Sequence, residues 1–416
     1  MTDSSLRLRI IPAISEVDAA AWDACANPQA AADVKVICEQ PPPVQTKSNA
    51  ISQDTTYNPF ISYDFLYALE ASGSATARTG WQPQHVLAET ADGDILGTVP
   101  CYLKSHSRGE YVFDRGWAEA YERAGGQYYP KLQVSVPFTP ATGRRLLLRP
   151  GPQAEPVRAG LTAGLLELCR QHEASSVHVT FLPEAECRFL AEHGFLHRTD
   201  QQFHWENAGY ECFDAFLEAL SARKRKTIRR ERRDAMAPGI SVHWLTGTDL
   251  TEEAWDAFFA FYMETGSRKW GRPYLTRKFY SLVGERLSDK IVLVMAKRAG
   301  RFIAGAINFI GSETLFGRHW GAVEHHPFLH FELCYYQAID FAIARGLKRV
   351  EAGAQGEHKL TRGYLPVTTH SAHYIADPGL RRAVADYLLR ERAYVEAAGE
   401  ELAAAAPFRK DLVEQD

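Results

Sequence analysis

Ile291-Val-Leu-Val-Met-Ala-Lys-Arg-Ala-Gly-Arg-Phe-Ile-Ala-Gly-Ala-Ile-Asn308 is two β-rich runs on either side of a polar turn carrying Gly300, the pattern of a β-hairpin. The same plan stands earlier in the chain. Val86-Leu-Ala-Glu-Thr-Ala-Asp-Gly-Asp-Ile-Leu-Gly-Thr-Val-Pro100 folds back at Asp92-Gly93, and its Ile95-Leu-Gly97 matches Ile303-Ala-Gly305 in position after the turn. The first hairpin is followed by a strand near 132–136, a helix over 157–172 and a strand over 176–181. The second is followed by a strand over 314–320, a helix over 331–345 closed by Gly346, and a strand over 347–352. Hairpin, strand, helix and strand occur twice, which predicts two tandem α/β domains of similar plan with mixed central sheets.

Boundaries follow from composition. Residues 1–57 form an N-terminal segment in which 27–57, with Gln40-Pro-Pro-Pro43 and a polar tract, reads as a flexible insertion. Residues 58–207 make the first domain, where Ser62 caps a helix whose Phe65, Leu66 and Leu69 share one face. An aromatic-rich stretch over 111–129, a helix over 184–192 and a strand pair around 195–205 complete it. Residues 208–401 make the second domain, opened by a basic helix over 215–233 and closed by a helix over 380–397; 402–416 is a tail.

The 416 residues are 45% hydrophobic and 24% charged with a net charge of −4, which suits a soluble globular protein and excludes a polycation that coats nucleic acid along its whole surface. Any basic site is local. Seven cysteines lie scattered without a C-x-x-C pair, as expected of reduced thiols. Neither a leader peptide nor a membrane-length apolar run is recognisable, so the expected location is cytoplasmic, with contact to a membrane limited to its surface.

The chemistry concentrates in Val350-Glu-Ala-Gly-Ala-Gln-Gly-Glu-His-Lys-Leu-Thr-Arg-Gly-Tyr-Leu-Pro366. Gly353 and Gly356 break the strand, so Glu357, His358, Lys359 and Arg362 project from the loop at its carboxyl end, where open α/β sheets place ligands. Glu357 and His358 are the candidate bases: an imidazole titrates near working pH, whereas a glutamate needs burial to do so. Lys359 and Arg362 are suited to hold a phosphate or carboxylate, or to stabilise an oxyanion. Gln355 and Tyr364 belong to the same loop as substrate contacts. His330 and Glu332, at the start of the preceding helix, face the same cleft, with Glu332 as a third catalytic candidate. On the 314–320 strand, alternation puts Arg318 and Trp320 on one face, with Trp320 as a pocket wall, and His319 on the other. Tyr335, Tyr336 and Phe341 read as packing. Plainer roles compete with these: an internal hydrogen-bond network for Glu357 and His358, a surface ion pair for Lys359 and Arg362, a dipole-complementing carboxylate for Glu332. No metal is expected, because His325, His326, His330, His358, His370 and His373 show no ligand spacing.

The basic helix carries Arg223, Lys224, Arg225, Lys226, Arg229, Arg230, Arg232 and Arg233 against Glu231 alone. That density points to an anionic partner such as tRNA, a nucleotide-linked substrate or lipid headgroups, with Arg223, Lys224, Arg225, Arg229 and Arg230 as donor or anion contacts. The competing reading is a cationic helix neutralised by the acidic remainder of the chain.

Asn58-Pro-Phe-Ile-Ser62, Tyr128-Tyr-Pro-Lys-Leu-Gln-Val-Ser-Val-Pro-Phe-Thr-Pro140, Leu329-His-Phe-Glu-Leu-Cys-Tyr-Tyr336 and Gly353-Ala-Gln-Gly-Glu-His-Lys-Leu-Thr-Arg-Gly363 resemble the bacterial FemAB-like predicted N-acyltransferase family. The resemblance runs from residue 58 to 394. It implies a duplicated GNAT acyltransferase fold, as in the Fem-type peptidoglycan aminoacyl transferases, and N-acyl transfer to an amine in peptidoglycan or cell-envelope biosynthesis. No cofactor is implied beyond the acyl donor as co-substrate, either aminoacyl-tRNA or a coenzyme A or acyl carrier protein thioester. The acceptor is a small-molecule, peptide or lipid amine. One departure bears on the donor. The glycine-rich turn that holds a pyrophosphate in GNAT acetyltransferases is replaced by Glu324-His-His-Pro-Phe-Leu-His330, and in the first repeat by Arg149-Pro-Gly-Pro-Gln153, whose prolines lack amide donors. This argues against an ordinary acetyl-CoA enzyme. The Phe-Lys-x-Gly-Phe motif of Fem-type enzymes is echoed by Lys359-Leu-Thr-Arg-Gly-Tyr364, with Thr361 in the lysine's place. A rival of another class is a non-catalytic protein that holds RNA or an anionic surface with residues 223–233.

Overall fold

A computed structural model describes residues 6–28, 56–237, 239–270, 273–353 and 356–409, without the side chains of 267–270 and 357. Of the expected insertion, 29–55 lies outside the described residues. The hairpins form as read: His85–Glu89 pairs with Ile95–Val99, and Ile291–Arg298 with Arg301–Ile310. Each repeat then contributes one parallel pair, Lys131–Val134 with Ser176–Leu182 and Thr314–Ala322 with Arg349–Glu351. Parallel neighbours need a crossover connection, supplied by Ala154–Gln171 in the first repeat and by helical residues 329–344 in the second. Every other strand pairing is antiparallel, so the tandem GNAT-like plan with mixed sheets is present.

The repeats are not separate bodies. A four-stranded sheet runs Arg7–Ile11, His85–Glu89, Ile95–Val99, Leu147–Leu148, while an eleven-stranded sheet spans both repeats. At its centre the last strand of the first repeat, Leu196–Glu206, lies between Arg349–Glu351 and Leu365–Ile375 of the second. Leu365–Ile375 in turn pairs with Ser176–Leu182 of the first. Each repeat's last strand thus completes the other's sheet, and a 2.6 Å Nδ1–Nδ1 hydrogen bond between His178 and His373 ties Leu365–Ile375 to its host strand Ser176–Leu182 inside the protein.

Two helices that the periodicity does not reveal, Glu252–Trp270 and Arg277–Arg286, cover one face of the second half of the sheet through Trp255, Phe258, Phe279 and Tyr280. The opposite face packs on Leu333, Ile339 and Ala342 of the crossover helix. Ser62 caps Tyr63–Ala71 by accepting from the Phe65 amide at 3.3 Å. Three readings are corrected. The helix over 215–233 is two helices, Phe213–Ala219 and Ala222–Met236, because Leu220 turns extended (ψ 157°) and bridges to Phe408. The strand pair around 195–205 is the single strand Leu196–Glu206, and the 111–129 stretch contains the helix Arg115–Arg123.

A further correction decides the shape of the site. Between the pairs Ala306↔Trp320 and Asn308↔Gly317, two residues of Thr314–Ala322 oppose one of its partner, a β-bulge at Arg318 and His319. Alternation therefore fails there. Arg318 donates to the Phe138 carbonyl and the His319 ring lies 5.0 Å from Tyr262, both on the same face, while Trp320 turns to the other and meets His330 at 5.1 Å. None of the described helices is long and apolar enough to cross a membrane.

Candidate functional site

The ladder between Thr314–Ala322 and Arg349–Glu351 holds three pairs and stops at Phe316↔Glu351. Beyond it one strand runs on to Ala322 with no ladder partner on that side among the described residues, while the other leaves the sheet at Gly353. The opening this creates is roofed by the loop that follows. A 3-10 turn over Glu357–Arg362 is ended by Gly363 at φ +89°, where a Cβ would lie 2.7 Å from the Phe216 ring; only glycine fits that approach.

The turn sorts its side chains by depth. His358 is exposed, whereas Lys359, Arg362 and Tyr364 are buried beneath it. Nε2 of His358 is hydrogen-bonded to the Tyr335 hydroxyl at 2.9 Å. Burial raises the Tyr335 pKa well beyond neutrality, so this partner stays a protonated phenol. His330 lies 5.5 Å from Tyr335 and 6.3 Å from His358, ring to ring, and bridges them to Trp320. The Lys359 ammonium donates to the Gly353 carbonyl at 2.9 Å, the last described residue before the loop, and burial lowers its pKa from 10.5 to about 8. Tyr364 donates to the Tyr335 carbonyl at 3.2 Å.

Arg362 is fully engaged. It forms a bidentate pair with Glu231 (2.9 Å to each oxygen), donates to the Tyr336 hydroxyl at 3.1 Å and to the His358 carbonyl at 2.7 Å, and lies 3.5 Å above the Phe331 ring. Tyr336 donates to Glu231 in turn. Arg362 therefore fixes the loop and has no hydrogen-bonding surface turned to a substrate. Glu332 is likewise tied, to Arg232 at 3.0 and 3.1 Å and to Gln337 at 2.7 Å, with 2% of its surface exposed. It holds the helix start and does not face His358. The structure thus gathers His358, Lys359, Tyr364, His330 and Trp320 at the opening, with Arg362 supporting from below. Gln355 lies outside the described residues, and Glu357 is described in its backbone only. Tyr335, read as packing, proves to be the partner of His358. Helical periodicity shows only that it points inward, and nothing in the sequence says what it meets.

The Ala222–Met236 helix forms the floor. Ile228, Glu231 and Ala235 face inward, and Arg232 joins Glu332 and Asp340. Of the expected anion contacts, Arg225 and Arg229 pair with Glu218 and Asp214 of the preceding helix. Arg223, Lys224, Lys226 and Arg230 have no ion pair among the described residues. Arg223, Lys226, Arg230 and Arg233 fall at i, i+3, i+7 and i+10, an exposed cationic stripe.

Glu351, at the last rung before the opening, was not singled out by sequence. It is 5% exposed, its Oε2 has no hydrogen-bond partner among the described residues, and it lines a cavity of about 190 Å³ with Asn58 and Arg349. Burial raises its pKa from 4.5 to about 7, against the pull of Arg349. Among the described residues, no group of three or more His, Cys, Asp or Glu is arranged to hold a metal ion.

Compared with known proteins, residues 13–410 match the FemAB-like family, described as peptidoglycan biosynthesis/recognition. Solved structures similar to the chain include FemX, at 11% identity and TM-score 0.49 over 76% of this chain and 93% of that one. L-PGS from Bacillus licheniformis gives 11%, 0.48, 80% and 98%. A tandem GNAT protein from the clavulanic acid biosynthesis pathway gives 13%, 0.44, 90% and 99%. No curated protein matches the chain.

Proposed function

The chain belongs to the FemAB-like family, and on that premise we propose that it is an N-acyltransferase that joins an activated acyl or aminoacyl group to an amine at the opening between Thr314–Ala322 and Arg349–Glu351. One observation carries the reading: the loop that follows the end of a parallel strand pair presents an accessible imidazole backed by a protonated phenol and, from the next residue, a buried ammonium. Amide formation needs those two functions. The amine nitrogen attacks the acyl carbonyl, and His358 takes its proton. Lys359 stabilises the tetrahedral oxyanion, and the carbon–oxygen or carbon–sulfur bond to the carrier breaks as the proton passes to the leaving group. Trp320 and His330 wall the acyl group, and Tyr364 packs under the loop. The exposed stripe on Ala222–Met236, in which Arg223, Lys226 and Arg230 have no ion pair among the described residues, favours a polyanionic carrier, aminoacyl-tRNA, over a free thioester. The acceptor amine belongs to peptidoglycan or cell-envelope biosynthesis, and the reaction is assigned to the cytoplasm.

Ribonuclease separates the donors: with aminoacyl-tRNA, treatment abolishes transfer, whereas transfer that survives it and requires a coenzyme A thioester rules that donor out. A non-catalytic anion-binding protein would show the same polyanion binding and no amide product with either donor.

A further inference from the structure

On the face covered by Glu252–Trp270 and Arg277–Arg286, away from the loop, lies a cleft of about 600 Å³. Its rim carries Arg78 and Arg108, both exposed; among the described residues neither has an ion pair and no carboxylate lines the cleft. Its wall is aromatic: Phe259 and Tyr274 are partly exposed, and Tyr274 stacks on Phe138 at 4.8 Å and 12°. Behind the wall Lys104 stands 3.5 Å over the ring of Trp81 and 3.7 Å from Glu110, and burial lowers its pKa to about 7, so it carries only part of a positive charge at neutral pH. Burial, then Lys104 and Arg108, lower the His106 pKa to about 4, so its ring is neutral at physiological pH.

The wall is built at a cost. Phe138 has φ +59°, a left-handed conformation that disfavours a bulky side chain by about 1–2 kcal/mol. It is held there because its amide donates to the Gly109 carbonyl at 3.2 Å and its own carbonyl accepts from Arg318. Gly109, at φ +82°, leaves room for the ring; a Cβ there would lie 2.6 Å from it. The Tyr274 amide is fixed by the Tyr262 hydroxyl at 3.1 Å. Aromatic faces set in advance beside unopposed guanidinium groups, in a volume typical of small-molecule sites, define one ligand class. The doubly charged phosphate matches two arginines, and a flat ring matches Tyr274 and Phe259.

We propose that this cleft binds a phosphate-bearing, ring-containing small molecule, with its phosphate on Arg78 and Arg108 and its ring against Tyr274. Nothing in the transfer reading requires this site. Its use as the seat of the acceptor's far end does rest on that reading, because the Phe138 carbonyl also holds Arg318 on the strand that leads to the opening.

Calorimetric titration with phenyl phosphate tests it, on the wild type, Arg78→Gln/Arg108→Gln and His358→Ala. The wild type binds, the double variant binds roughly tenfold or more weakly, and His358→Ala is unchanged. Inorganic phosphate, lacking the ring, and benzylamine, lacking the anion, bind more weakly than phenyl phosphate. No saturable heat with the wild type at millimolar ligand overturns the proposal, as does equal affinity in a double variant whose circular dichroism matches the wild type. If binding behaves as stated while no transfer is ever found, the site stands and the transferase reading fails.

Discussion

Lys359 carries its ammonium inside the protein, and its depressed pKa places the loss of that charge within an accessible pH range. If the cation stabilises the oxyanion, single-turnover transfer holds up to about pH 8 and declines above it. Lys359→Arg, whose charge persists, moves that decline upward; a rate that rises through pH 8 contradicts the role. Glu351 gives a test of the opposite sign. Its folded pKa of about 7 lies above the ordinary 4.5, so the folded state binds more protons between those values. The stability this confers is complete below pH 4.5 and lost as pH rises through 7, a change of up to about 3 kcal/mol. Glu351→Gln should remove that slope from the difference between chemical-denaturation curves at pH 4.5 and pH 7.5. At this scale the sequence was informative about residue types and poor on partners. His358 and Lys359 stand out because acid, base and glycine crowd one loop, but whether Arg362 touches a ligand depends on Glu231, 131 positions away. A β-bulge reversed the faces around Arg318 to Trp320, and no residue pattern marks it.

The Ala222–Met236 helix combines an outer face that attracts an anion with an inner face that sets the loop. Removing one partner of a buried ion pair costs about 3–5 kcal/mol, since the other charge is left unmatched. Glu231→Ala should lower the unfolding free energy by that order, and Arg362→Met in the same protein should recover much of it, as denaturant titration of both variants would show. On the outer face, Arg223→Glu/Lys226→Glu/Arg230→Glu should leave stability within about 0.5 kcal/mol and weaken tRNA binding. The log–log salt slope should flatten by roughly 2. Fluorescence anisotropy across a salt series gives both readouts, and unchanged affinity removes the stripe from the site. Composition alone made all eight cations equivalent. The 100° step of a helix separates them, turning Glu231 and Arg232 inward and leaving Arg223, Lys226 and Arg230 outside.

The whole molecule is joined by exchange. Leu196–Glu206 and Leu365–Ile375 each fill the other repeat's sheet, so neither repeat has a closed sheet of its own. The full chain should unfold in one calorimetric transition, and residues 1–207 or 208–416 expressed alone should fail to fold, with unpaired strand edges prone to association. Two separate transitions, or a folded half with dispersed amide signals, would contradict this. The repeat itself was legible, because hairpin turns and helix periods are local. The exchange was not: strands 196–206 and 365–375 have the same alternation whichever neighbour they take, and that neighbour lies more than a hundred residues away in the chain.

Transfer itself is the most direct test. Purified wild type and His358→Ala/Lys359→Ala are each given isotope-labelled aminoacyl-tRNA and acyl thioesters with the amine pool of a cell extract, and mass spectrometry looks for a new labelled amide. The wild type should form one with at least one donor, and the variant, with its fold and polyanion binding retained, should form it slower by roughly a hundredfold or more. No labelled amide from any donor, or an equal rate from the variant, would contradict acyl transfer at this opening.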